Sequence, residues 1–214
     1  MAKSSPALES LEKFAAQAAG GFERFGRIYL AVLFNPGREI PTVASGAGWP
    51  FPLSLILGYS LGSAVLLRAT WRAILPGVGL DGTLAARQPS VLIVFLAGVV
   101  FLVALSIAAL VGIRIFARQR PGLLIAMNCV AVALVPLSAL TAAAWIMLYL
   151  SSVFSLLALL FGLATALCFF AEAVRSQCDL PTGSSLYVIP LMVVVALLVT
   201  GLFLFTLGAP SSQP

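Results

Sequence analysis

Leu8, Leu11, Ala15, Ala18, Phe22, Phe25, Tyr29 and Val32 recur every third or fourth position near the start of the chain. Glu9, Glu12, Lys13, Glu23, Arg24 and Arg27 fall mostly between them, and this spacing predicts an amphipathic helix. Ser5-Pro6 supplies a start signal and Asn35-Pro36-Gly37 a break. Gly20-Gly21 weakens the middle, where the helix can divide in two. Two placements suit such a helix. It can lie at the headgroup layer, anchored by Phe14, Phe22 and Phe25 with its arginines toward lipid phosphates, or dock on its own protein or a partner. The interface is favoured, because the apolar stripe runs directly into the apolar segment 28–34.

Farther along, the polar punctuation thins out. Glu39 and Arg68 are separated by 28 uncharged residues, Arg87 and Arg114 by 26, and Arg120 and Glu172 by 51. The last 35 residues, after Asp179, carry no charged side chain. A helix needs about 20 apolar residues to cross roughly 30 Å of hydrocarbon. The 51-residue run would reach about 77 Å as a single helix at ~1.5 Å per residue, so it must double back. Tyr149-Leu150-Ser151-Ser152 lies near its midpoint. Five spans follow, at about residues 49–67, 91–113, 123–148, 153–171 and 186–207.

The first span is short, entered at Trp49, Pro50 and Pro52 and left through Arg68, Trp71 and Arg72, an interfacial belt. The connection through Pro76, Gly77, Gly79, Asp81-Gly82 and Pro89 is turn-rich. The expected organisation is a cytoplasmic amphipathic segment (1–40), an all-α five-helix transmembrane domain (41–207) and a disordered tail (208–214).

Composition narrows the solvent. Apolar residues make up 61% of the chain and charged residues 9%, against roughly 25% charged in a soluble domain. Most of the exterior must therefore face lipid. The net charge is +5, and excess Arg and Lys beside apolar runs sets orientation rather than marking a nucleic-acid partner. With five crossings, nine of the 12 basic residues fall on the N-terminal side, and Arg68, Arg72 and Arg87 on the other. Positive charge stays cytoplasmic, which places the N-terminus inside and the C-terminus outside. If the first span fails to cross, the C-terminus moves inside. No cleavable signal peptide is expected, because Glu9, Glu12 and Glu23 interrupt the first 27 residues. A multi-pass protein of a bacterial inner membrane is the expectation.

Candidate chemistry is sparse. The chain has no histidine, which removes Ser-His catalysis, imidazole-ligated haem or copper, and His-containing zinc sites. Asp81 and Asp179 lie in different loops, so no carboxylate cluster is expected to hold a divalent metal. Cys129, Cys168 and Cys178 match no metal or redox spacing and read as free thiols. No cofactor and no enzymatic activity are expected. Two polar residues on the spans stand out. Glu172 is either a proton or cation site or, three residues before Arg175, half of a local ion pair at a helix end. Asn128 is deeper and suited to hydrogen-bonding a neighbouring helix.

Small residues recur at four-residue spacing: Gly58 and Gly62 after Ser54, then Ala104, Ala108 and Gly112, then Ala158, Gly162 and Ala166. Such stripes let helix backbones approach closely, within the chain or in a homo-oligomer, and packing within the chain is favoured. Pro136 and Pro190 fall inside spans and predict kinks.

The N-terminal segment leading into Leu33-Phe34-Asn35-Pro36, the basic loop 114–120, the mid-span Pro136 and two closely apposed following helices resemble the Yip family of five-span membrane proteins. The likeness covers roughly residues 28–207. Eukaryotic members act in vesicle trafficking and membrane shaping, some with Rab-type GTPases. Their acidic, aromatic Asp-Leu-Tyr-Gly-Pro signature is absent here, so the likeness is to the prokaryotic branch. The resemblance implies a non-catalytic role in membrane organisation, trafficking-like scaffolding or support of a larger complex. Arg24, Arg27, Arg114, Arg118 and Arg120 are the expected contacts for anionic lipid or a membrane-protein partner. The alternative is a small transporter or channel subunit, with Asn128, Glu172 and the kinked helices lining a path.

Overall fold

The structure is a computed structural model. It describes the backbone of residues 6–74, 90–116, 121–178 and 182–208, and the side chains of 20–69, 90–115, 121–151, 153–178 and 187–206. Every regular element among them is an α-helix: α1 (Pro6–Phe34), α2 (Pro36–Gly46), α3 (Pro50–Ile74), α4 (Val91–Phe116), α5 (Leu123–Leu148), α6 (Ser152–Gln177) and α7 (Thr182–Gly208). The five from α3 to α7 are long and apolar enough to cross a membrane. The fold is an all-α, polytopic membrane bundle.

α5 is its axis. Of its span 61% is buried, against 17–39% in the other four. Eleven consecutive residues, Ala126 to Pro136, are hidden, enclosed by α3, α4 and α6 and, on the remaining side, by α1 and α2. The other spans present long apolar faces outward, such as Leu156, Leu160 and Leu163 on α6 and Leu191, Leu198 and Leu202 on α7. In water so much exposed apolar surface would drive association; in lipid it is already solvated.

α5 and α6 form the tightest pair. The chain turns at Tyr149 and Leu150, and Ser151 caps α6 by accepting a hydrogen bond from the Val153 N–H at 3.3 Å. A helix start within an apolar run needs such a partner for its orphan N–H groups. Gly162 lets the two backbones close up: a Cβ there would lie 3.0 Å from Leu140 Cβ and 3.4 Å from Leu137 Cδ1. Elsewhere, α4 meets α3 where Gly98 faces Ser60, and α7 where Gly112 lies beneath Met192 and Val188.

Three features differ from the expectations. α1 runs through Gly20-Gly21 without a break. α3 and α6 outrun the charges that bound their spans, continuing past Arg68 to Ile74 and past Glu172 and Arg175 to Gln177. A charge marks where hydrocarbon ends, yet it costs an exposed helix little; α6 stops only at the extended backbone of Cys178 (φ −148°, ψ 147°). The third difference is α2. Asn35-Pro36-Gly37 interrupts α1 but also begins a new helix, because proline at a first helical turn gives up an N–H that would have no partner there. Ile40, Val43, Ala44 and Ala47 are its buried stripe, and it packs on α5 and α6.

The turn-rich connection containing Asp81, the residues Arg118 and Arg120, and the tail from 209 onward lie outside the described residues, as do the side chains of Phe14, Trp71 and Arg72.

Candidate functional site

Two fastenings hold α1 and α2 to the bundle. The first is Asn128, fully buried on α5. Its Nδ2 donates to the carbonyls of Ala47 at 2.8 Å and Ala44 at 3.4 Å. The last carbonyls of a helix have no intrahelical partner, and a buried helix end must find one among side chains. Asn128 therefore caps α2 from a neighbouring helix, while its own Oδ1 stays buried and unpaired. The second is Tyr29, whose hydroxyl donates to the Val135 carbonyl at 3.1 Å and lies 2.9 Å from Ser138 Oγ. Val135 sits at the midpoint of α5. With Phe25, Ile28 and Leu33 also packed on the core, the second half of α1 is docked on its own bundle. Docking is thus realised there, where spacing alone favours the headgroup layer.

Docking α1 leaves a cleft between it, α3 and α5. Its outer part, about 520 Å³, lies between Arg24, Phe25 and Ile28 of α1 and Gly48, Pro50 and Phe51 at the start of α3. Its inner part, about 690 Å³, runs along Leu55, Gly58, Tyr59 and Gly62 of α3 and is walled by Ser138, Thr141 and Trp145 of α5. Phe25 and Ser54 belong to both parts. Phe25 stacks at a tilt against Phe51, with ring centroids 5.8 Å apart, and against Tyr29 at 6.1 Å. At the far end Thr141 Oγ1 is buried with no formed hydrogen bond, the Tyr59 side chain beside it.

The candidate residues separate by environment. Gly162 and Ala166 are buried and Ala158 is half-buried. Gly58 and Gly62 are exposed, and a Cβ on either meets no atom within 4 Å. Spacing allows helix packing within the chain or in a homo-oligomer and favours the first; in the structure no other part of the chain packs against them, and they form the cleft floor. The reason lies on α3 itself, which buries Phe51, Leu55, Ile56, Ser60 and Ala64 and so turns the glycine stripe outward. Glu172 is exposed near the end of α6, while Asn128 is buried beneath α2, and neither lines either part of the cleft. Among the described residues no group of three or more Cys, Asp or Glu side chains is placed to hold a metal.

Basic side chains gather at one end of the bundle. Arg24 lies beside the start of α3, and Arg114, ending α4, donates from Nε to the Pro121 carbonyl at 3.4 Å, just before α5. Because α5 and α6 are antiparallel, Arg175 returns to that same end, with Glu172 one turn before it. Arg27 pairs with Glu23 at 2.8 Å, an exposed pair of little energetic weight. Arg24 makes no ion pair among the described residues.

Tyr29, Tyr59, Thr141 and Trp145 escape a reading by spacing. Tyr29 merges into an apolar stripe, and the others are single polar tips within apolar runs; only the assembled cleft brings them together. No family model, curated protein or solved structure matches the chain.

Proposed function

We propose that this is a non-catalytic integral membrane protein that organises the surrounding bilayer or supports a larger membrane assembly, as the Yip-like resemblance implies. Its place would be a bacterial inner membrane, with the basic end of the bundle and the N-terminus in the cytoplasm. The observation that carries the reading is the grouping of Arg24, Arg114 and Arg175 at one end, beside the exposed Phe22. Basic side chains near an anionic leaflet each contribute about 1 kcal/mol, so a handful together enrich anionic lipid around the protein. Polar groups deeper in the bundle serve the fold: Asn128 and Tyr29 hold backbone carbonyls rather than face a path.

Reconstitution into vesicles of mixed neutral and anionic lipid tests this. Enrichment of a labelled anionic lipid around the protein is expected, weakening with salt as the charges are screened, and reduced in Arg114→Gln. No solute flux should depend on Glu172. An unchanged lipid distribution, together with a flux that Glu172→Gln abolishes, would reverse the reading in favour of a transporter.

A further inference from the structure

We propose that the cleft between α1, α3 and α5 is the binding site for one anionic glycerophospholipid, its phosphate at Arg24 and one acyl chain lying over Gly58 and Gly62. The inference rests on the membrane-organising reading and supplies a specific lipid contact within it.

The shape of the cleft suits such a ligand. Its two parts adjoin at Phe25 and Ser54, which line both, so a charged mouth abuts an apolar channel. Along α3 the inner part extends from Ser54 to Val65, about 17 Å at ~1.5 Å per residue. One leaflet contributes about 15 Å of hydrocarbon, half of the ~30 Å core. The channel thus has the length of one extended acyl chain. Its volume of about 690 Å³ is of ligand-site size.

The floor and the mouth point the same way. Glycine within a helix costs roughly 1 kcal/mol relative to alanine, and neither Gly58 nor Gly62 recovers that by admitting another helix of the same chain. What their missing side chains leave is room along the channel. At the mouth, Arg24 is exposed and free of ion pairs among the described residues, whereas the adjacent Glu23 is engaged by Arg27. A phosphate finds an unpaired cation there, whereas the ammonium of a zwitterionic headgroup meets Arg24 as a like charge. That selects an anionic lipid.

Native mass spectrometry of the detergent-purified, delipidated protein, titrated with phosphatidylglycerol or phosphatidylcholine, tests the site. One phosphatidylglycerol should bind per chain, preferred over phosphatidylcholine by about tenfold, because the choline cation offsets the phosphate charge that Arg24 meets. Arg24→Gln should erase that preference. Gly58→Leu combined with Gly62→Leu should displace both lipids while the melting temperature holds, since a Cβ at either glycine meets nothing. Equal phosphatidylglycerol binding by wild type and both variants would overturn the proposal. So would a lipid-free dimer that the double variant splits. Persistence of bulk anionic-lipid enrichment in vesicles with no stoichiometric lipid retained removes the site and leaves the broader reading standing. Loss of bulk enrichment with the bound lipid retained does the reverse.

Discussion

Asn128 spends both amide protons on carbonyls at the end of α2, in a place water does not reach. Replacing it with leucine leaves those carbonyls without a donor, which should cost on the order of 1–3 kcal/mol. Asn128→Asp should cost more, because it turns carboxylate oxygen toward two carbonyl oxygens. Thermal unfolding in detergent reads both, and a wild-type melting temperature for Asn128→Asp would show that the cap is absent. Tyr29→Phe keeps the ring against Phe25 and removes the bond to Val135, so a loss nearer 1 kcal/mol is expected in the same measurement. An amide alone in an apolar run declares that it needs a partner, and that much of Asn128 is legible in the chain. The partner itself is hidden because it lies on a helix that Pro36, Gly37 and Pro41 disguise as a break.

α2 carries its own signal in Ile40, Val43, Ala44 and Ala47, an apolar stripe at helical spacing over just 11 helical residues. So short a helix draws its stability from packing rather than propensity, and propensity is what proline and glycine obscure. The small-residue stripes teach a related lesson. Spacing says that a backbone can be approached closely; it does not say from where, because that depends on which face of each helix turns inward. Gly162 meets Leu137 and Leu140, and Gly58 meets open space. Gly162→Ile should therefore destabilise the α5–α6 pair by about 1–3 kcal/mol through overpacking, whereas Gly58→Ala should cost nothing and stabilise by up to about 1 kcal/mol. Chemical unfolding in micelles distinguishes them, and equal losses at both positions would mean that α3 is packed on that face after all.

For the molecule as a whole, charge-free runs suffice to locate five helices, since backbone in hydrocarbon must satisfy its own hydrogen bonds and coils to do so. They do not fix the arrangement. That α5 is central, that α7 leans mainly on α4, and that α1 folds back on the bundle all depend on side-chain fit between helices far apart in sequence. The basic end emerges from that arrangement: Arg114 and Arg175 are far apart along the chain yet converge because successive spans alternate in direction, and Arg24 joins them where α1 docks beside the start of α3. Five alternating crossings carry a consequence independent of every side-chain detail, namely that the two ends of the chain lie on opposite faces of the membrane. Topology reporters fused before Met1 and after Pro214 in the same membrane measure it directly. Activity on the cytoplasmic side for the first and on the opposite side for the second is the predicted result; both reporters on one side would contradict it.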